Sequence, residues 1–334
     1  MPRFLVRVLV LMVGLGSMSA QEKKDSVLDA AALNRMASRF APTDLRVSVS
    51  GLSAGDRSAL AKLVAAGRVL DDIFLQQYWS GNRGLDQKLR KDDTPLGKAR
   101  LNYFWINKSP WSNLDGFEAF LPGVPARKPE GANFYPADIT KEEFERWVTG
   151  LPEREQNDAK GFFTVIRRGE DGRLKAVPYS QEYKDDLQRA AQLLREAAVL
   201  TENASLRKFL TSRADAFLSN DYYESDMAWM DLDAPLDITI GPYETYNDEL
   251  FGYKAGFEAY INVRDEAESA KLAAFASHLQ QLEDNLPLDP RYRNPKLGAA
   301  APIRVVDEVL AAGDGATSEL MKGKLHAGAV FHTS

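Results

Sequence analysis

Between Ile238 and Val263 the chain reads ITIGPYETYNDELFGYKAGFEAYINV, and five polar side chains crowd one short turn: Glu244, Tyr246, Asn247, Asp248 and Glu249. Glu244 and Tyr246 are two apart, so extended backbone projects both to the same side. A carboxylate in that position can hold a substrate ammonium. A phenol can donate a hydrogen bond to the oxyanion that forms when a carbonyl is attacked. Ordinary loop polarity accounts for the same residues, and spacing alone does not separate the two readings. A third reading pairs Glu244 with Asp248 as the carboxylates of a hydrolase, although nothing in the sequence marks perturbed ionisation of either.

Other chemistry is thin. The histidines are His278, His326 and His332, and none is followed by Glu in a His-Glu-x-x-His pattern. His278 sits between Phe275 and Leu282 in an amphipathic run, where a packing or surface role is expected, and zinc ligation would need partners at ligand spacing. There is no G-x-S-x-G elbow for Ser-His-Asp catalysis. The acidic stretch Asp221 to Asp233, DYYESDMAWMDLD, lacks the spacing of a calcium loop and reads as a solvated loop with Trp229 and Met230 packed inward.

The elements that must position the polar turn can be read from period and punctuation. Leu236, Ile238 and Ile240 alternate with Asp237 and Thr239, which predicts a half-buried strand ended by Gly241-Pro242, with the polar residues on the loop beyond it. Ser53 to Ser80 opens on Ser-x-x-Asp and carries Leu60, Leu63, Val64, Gly67, Leu70, Phe74 and Tyr78 at helical spacing before Gly81. A capping box at Thr140–Glu143 starts a helix that buries Phe144 and Trp147 and stops at Gly150-Leu151-Pro152. Residues 107 to 137, with five prolines, predict an irregular segment. Phe162–Ile166 and Leu174–Tyr179 flank Gly169-Glu170-Asp171-Gly172 as a hairpin. Two amphipathic helices, Ser180–Leu200 and Ser205–Leu218, follow as an antiparallel pair. A single helix from Asp265 to Leu286 presents Leu272, Phe275, Leu279, Leu282 and Leu286 as a core face. The class is α+β, helix-rich, with little sheet.

Composition bounds the function classes. The 334 residues carry 42 Lys and Arg against 48 Asp and Glu, a net charge of −6, with 44% hydrophobic residues and no Cys. An acidic balance without a basic, aromatic-laced cluster argues against nucleic acid. The absence of Cys excludes disulfides, a thiol nucleophile and a Cys-based zinc site. Arg3 and Arg7 precede the apolar run Val8–Leu15 and the small residues Ser17, Ser19 and Ala20, the pattern of an export signal. The expected mature chain begins near Gln21 in the periplasm or outside the cell, with no membrane attachment after cleavage.

Residues 241–260 resemble the dipeptidyl-peptidase III family of zinc peptidases, including its exported bacterial members. Gly241, Glu244-Thr245-Tyr246, Asn247-Asp248, Phe251-Gly252 and Phe257-Glu258 carry the pattern. Similarity extends through Ala228-Trp229-Met230 and the helix after Asp265, and more loosely from residue 180 to Asp314. The resemblance implies that Tyr246 stabilises the transition state at the scissile carbonyl and that Glu244 binds the free amino terminus of a peptide substrate. It also implies that Glu258 lines the same cleft. Asn247 stands where family members often have Arg, which leaves the substrate subsites open. The fold implied is the lower lobe of a two-lobed zinc peptidase, with a small antiparallel sheet or partial barrel.

The cofactor implied is zinc, held in full-length family members by His-Glu-x-x-Gly-His and a downstream Glu. These 334 residues contain no such motif, so no metal ligand is assigned and the chain alone is expected not to hydrolyse peptides. The expected organisation is a signal over 1–20, a truncated family lobe over 21–314 and a divergent tail over 315–334, as a frameshift would produce. The competing reading is a periplasmic peptide-binding or interaction protein without catalysis. Coding sequence for the zinc motif downstream in another frame would favour the hydrolase fragment.

Overall fold

A computed structural model describes residues 28–42, 45–297, 303–313 and 330–333. The expected signal and most of the divergent tail, including His326, lie outside the described residues. Helices α1 (Ala30–Ala37), α2 (Ala54–Tyr78), α3 (Asn82–Leu89) and α4 (Pro95–Asn107) come first. In the proline-rich stretch the regular structure is slight: the two-residue strands β1 (Trp111–Ser112) and β2 (Glu118–Ala119), with a short 3-10 turn between them.

Helix α2 is the axis of the lobe. Ser53 caps it, its hydroxyl accepting from the Asp56 N–H at 2.9 Å, as the Ser-x-x-Asp pattern predicts. Asp56 also accepts from the Thr201 hydroxyl at 2.7 Å, which ties the helix start to a segment far along the chain. Apolar side chains ring α2 because it is enclosed by other elements: Leu60, Leu63, Val69, Leu70, Ile73, Phe74 and Leu75 are all buried.

The capping-box helix α5 (Lys141–Thr149) is present, with Thr140 accepting from the Glu143 N–H at 3.1 Å. The Glu143 carboxylate reaches Arg168 at 2.8 Å. Helix α6 (Glu153–Lys160) leads to the expected hairpin, β3 (Thr164–Arg168) with β4 (Leu174–Pro178), whose turn places Gly172 at φ +77°. Helices α7 (Tyr179–Glu182), α8 (Lys184–Leu200) and α9 (Ala204–Ser219) include the expected antiparallel pair. The acidic stretch is helical from Tyr223 to Met230 (α10), contrary to the loop expected, because Asp221 accepts from the Tyr223 N–H at 3.1 Å and starts a turn with Glu224 and Asp226 near its positive end. Trp229 packs against the core, whereas Met230 points outward.

The main sheet is antiparallel, in the order β5 (Leu236–Glu244), β6 (Gly256–Arg264), β7 (Ile303–Gly313) and β8 (Val330–Thr333). It is a small open sheet in a helix-rich lobe, as the α+β reading expects, and it does not close into a barrel among the described residues. Leu236 faces Val263, Ile238 faces Ile261 and Ile240 faces Ala259 across the β5–β6 pair, giving one apolar face that packs on α2. Gly67 makes that packing possible, since a Cβ there would stand 2.8 Å from a Leu310 methyl.

The half-buried strand is corrected in two ways. Asp237 and Thr239, on the opposite face, are buried as well, and Glu258, Asn262 and Glu308 join them. The strand also runs through Gly241-Pro242 to Glu244, because as an edge strand it can take a proline without losing a ladder bond to β6.

The single helix expected over 265–286 is two helices, α11 (Glu266–Ala276) and α12 (Leu279–Asp284). Between them the Ser277 hydroxyl donates to the Ala274 carbonyl at 2.7 Å, and His278 Nδ1 lies 3.1 Å from the same oxygen. These side-chain bonds compete with continuation of the helix. Leu279, Leu282 and Leu286 are exposed, so the expected core face is not covered. The Phe275 side chain lies outside the described residues. His278 is a surface residue, and His332 lies on β8 opposite Arg304.

Candidate functional site

Three side chains singled out in the sequence gather at one end of the main sheet with graded exposure. Glu258 is buried on β6, directly opposite Gly241. Glu244 closes β5, half-buried, just past a register shift between Pro242 and Glu244. Such a bulge re-aims the side chains beyond it. Tyr246 lies in the turn and is 80% exposed, so its phenol is free to meet a ligand. Glu244 and Tyr246 therefore do not share one run of extended backbone. The strand ends between them.

What fixes the turn is Asp248. It is buried, and its Oδ1 accepts from the N–H groups of Leu250 (3.2 Å) and Phe251 (3.1 Å). Its Oδ2 accepts from the N–H groups of Tyr253 (2.8 Å) and Lys254 (3.2 Å) and from the Tyr135 hydroxyl (2.7 Å). Burial, with the charge of Asp248, pushes the Tyr135 phenol far above its ordinary range and keeps it a donor. A carboxylate engaged on both oxygens has no lone pair for proton transfer. This argues against the Glu244–Asp248 carboxylate pair.

Two buried lysines complete the brace. Lys128, from the proline-rich stretch, donates to the Asn247 carbonyl at 3.0 Å and to Glu249 Oε1 at 2.7 Å. Lys254 donates to the carbonyls of Ala159 (2.7 Å) and Gly161 (2.9 Å) and to the Thr164 hydroxyl (2.8 Å). Burial pushes Lys254 down to about 7, with Asp248 pulling the other way. The Phe251 ring packs at 4.6 Å from Phe144 of α5 and stacks on Tyr253 at 5.3 Å. Four residues of the 241–260 stretch, Asp248, Phe251, Tyr253 and Lys254, are thus spent on holding the turn.

A further cation lies beneath the strand end. Arg213 of α9 is fully buried, donates to Asp226 at 2.6 Å, and sits over the rings of Phe209, Tyr222 and Tyr243. Sequence reasoning did not single out Arg213, Lys128, Tyr135 or Lys254. For Arg213 a signal existed: it follows Phe209 by four and precedes Phe217 by four, so the helical period places it on the buried face. Lys128 and Tyr135 sit in an irregular stretch with no period, and no local signal marks them.

Among the described residues no group of three or more His, Cys, Asp or Glu could hold a metal ion. No helix among them is long and apolar enough to cross a membrane.

A helix-rich lobe with a small open antiparallel sheet is also the fold of solved structures that this chain resembles. The model of Peptidase family M49 matches residues 164–300. The solved structure of dipeptidyl-peptidase III from Corallococcus sp. strain EGB is 55% identical and superposes with a TM-score of 0.78, over 87% of this chain and 54% of that one. The structure of DPP III from Caldithrix abyssi is 46% identical with a TM-score of 0.80, over 85% and 53%. An Arabidopsis thaliana protein named Nudix hydrolase 3 is 42% identical over 330 residues, covering 84% of this chain and 43% of its own length. The chain thus spans about half the length of the solved structures it matches. It belongs to the dipeptidyl-peptidase III family, a family of metallopeptidases.

Proposed function

We propose that this chain is the peptide-holding part of a dipeptidyl-peptidase III-like hydrolase. Glu244 and Glu258 hold the free ammonium of a peptide's amino terminus, and Tyr246 donates a hydrogen bond to the carbonyl oxygen as it gains charge. The observation that carries this reading is the turn itself: an exposed phenol beside a half-buried carboxylate, on backbone held by Asp248 and Lys128. Donors held in place before substrate arrives stabilise developing charge without reorganising.

The family's zinc would polarise the carbonyl and activate water. The described residues do not fit that role, because no suitable ligand group is present among them and no His-Glu-x-x-Gly-His occurs in the 334 residues. No step is assigned to a metal here, and the chain by itself binds peptides without cleaving them. Export to the periplasm or beyond, by the signal over residues 1–20, is part of the same proposal. A mature amino terminus near Gln21 tests it.

Calorimetric titration of a short peptide with a free amino terminus, and of the same peptide acetylated, tests the binding role. The free peptide is expected to bind roughly tenfold more tightly, with Glu244→Gln removing the difference, as loss of a charge-assisted hydrogen bond predicts. Equal binding of the two peptides overturns it. Zinc-dependent release of dipeptides by the purified chain overturns the claim that it does not cleave.

A further inference from the structure

We propose that Arg213 is a positioning residue for the peptide-holding end of the sheet: its buried guanidinium, wedged against Gly241 and the Tyr243 ring, sets the bulge in β5 and hence the direction of Glu244. The proposal deepens the peptide-holding reading and rests on it for the role of Glu244.

The first observation is an incompletely paired charge. The Arg213 side chain is fully buried, and its one well-formed hydrogen bond runs from Nη2 to Asp226, with the Tyr243 side chain its further polar neighbour. Burying a charge costs several kcal/mol unless its hydrogen bonds are met, and an apolar side chain on the same helix face would fill the space without that cost. Asp226 is half exposed, so the one ion pair is a weak offset.

The second observation is where the cation sits. A Cβ added at Gly241 would stand 2.8 Å from Arg213 Nη1 and 3.3 Å from the Tyr243 ring. The guanidinium therefore occupies the space that any side chain at position 241 would need. Gly241 faces Glu258 across the β5–β6 pair, and directly opposed residues project to the same face. Arg213 consequently lies on the face of the sheet that carries Glu258.

The third observation is the link to the site. The register shift falls between Pro242 and Glu244, one residue beyond Gly241, with Tyr243 between them. The Tyr243 ring stacks on the guanidinium at 5.6 Å. Burial pushes the Tyr243 phenol up to about 12; the Arg213 charge and a side-chain contact with Arg213 oppose that rise, and Asp226 and Glu258 add to it. One cation thus fills the side-chain space at Gly241, two residues before Tyr243, and lies over the ring of Tyr243 within the bulge, and Glu244 follows next.

The test compares Arg213→Met, Arg213→Lys and Asp226→Asn with the unaltered chain. Two readouts are taken: the affinity ratio of free to acetylated peptide, and amide hydrogen exchange over residues 241–246 against 236–240. Arg213→Met is expected to cut the ratio about tenfold and to speed exchange selectively over 241–246, since small misplacements of binding groups carry large penalties. Arg213→Lys recovers part of the ratio, and Asp226→Asn gives a smaller loss of about threefold in the same selective way. A ratio and exchange pattern unchanged in Arg213→Met, or exchange raised equally over both segments, overturns the proposal. If Arg213→Met does not fold, Asp226→Asn decides by the same two criteria, because its side chain is half exposed. Should the unaltered chain not distinguish the two peptides, the peptide-holding reading fails, while exchange over 241–246 still judges Arg213.

Discussion

The turn between β5 and β6 and the helix α12 invert the usual expectation about order. The turn has almost no regular structure, yet its Asp248 and Lys254 are buried and bonded, its Phe251 and Tyr253 stack, and Lys128 reaches it from the proline-rich stretch. Helix α12 is regular, yet Leu282 on it is 53% exposed and its neighbours Leu279 and Leu286 are exposed too. What holds a segment is the set of groups it buries with partners. Regular backbone is one way to satisfy those groups, and a buried Asp that accepts from four N–H groups is another.

The sharpest way to break this contrast is Asp248→Ala, which strands four backbone N–H groups and the Tyr135 hydroxyl. A loss of about 4 kcal/mol in urea denaturation is expected, with Asp248→Asn intermediate, since each stranded buried group costs on the order of 1–3 kcal/mol. A loss below about 1 kcal/mol, the range of ordinary surface substitutions, would show that the turn is held by its rings instead.

Lys254→Met comes next, at about 3 kcal/mol, because three acceptors lose their donor. Its pH dependence carries a sign. Lys254 in the folded chain is lowered to about 7, whereas an unfolded lysine keeps its proton up to about 10.4. Between these values the unfolded state binds more protons, so stability rises with pH over that window, and the burial penalty is in full force below it. Denaturation at pH 7 and at pH 9.5 should show a rise in the unaltered chain that is smaller in Lys254→Met.

Lys128→Met should cost about 2 kcal/mol, one charged hydrogen-bonding group's worth, and should loosen residues 247–249 in hydrogen exchange while leaving the β3–β4 hairpin unchanged. At the small end, Leu282→Gln is expected to change stability by less than about 0.5 kcal/mol, as exposed positions do. It should also reduce binding of an apolar dye. A loss of more than 1 kcal/mol there would mean that α12 is packed after all.

Local features were legible in the sequence because their causes are local. Ser53 and Thr140 cap helices through N–H groups three residues on, and Gly172 meets the backbone demand of its own turn. The Glu-Thr-Tyr pattern lies at the β5–β6 end of the sheet, where Glu244, Tyr246 and Glu258 gather. Period misled where burial was two-sided: Asp237 and Thr239 looked like a solvated face, and nothing in their spacing announces a cover. The helix over 265–286 was read as continuous because its apolar spacing is continuous. The side-chain bonds to the Ala274 carbonyl leave no mark on that spacing.

By itself the sequence determined the helix-rich class, the caps, the hairpin, the family and the residues with chemistry to offer, all properties of neighbouring residues or of a motif read as a string. Only the tertiary structure decided which of those residues are exposed and which are consumed in holding the turn. Tyr246 is 80% exposed, whereas Asp248 is consumed by four nearby N–H groups and by the Tyr135 hydroxyl, 113 positions away. The distant share of the turn's hydrogen bonding, from Tyr135 and Lys128, is settled by the fold, and no local pattern encodes it.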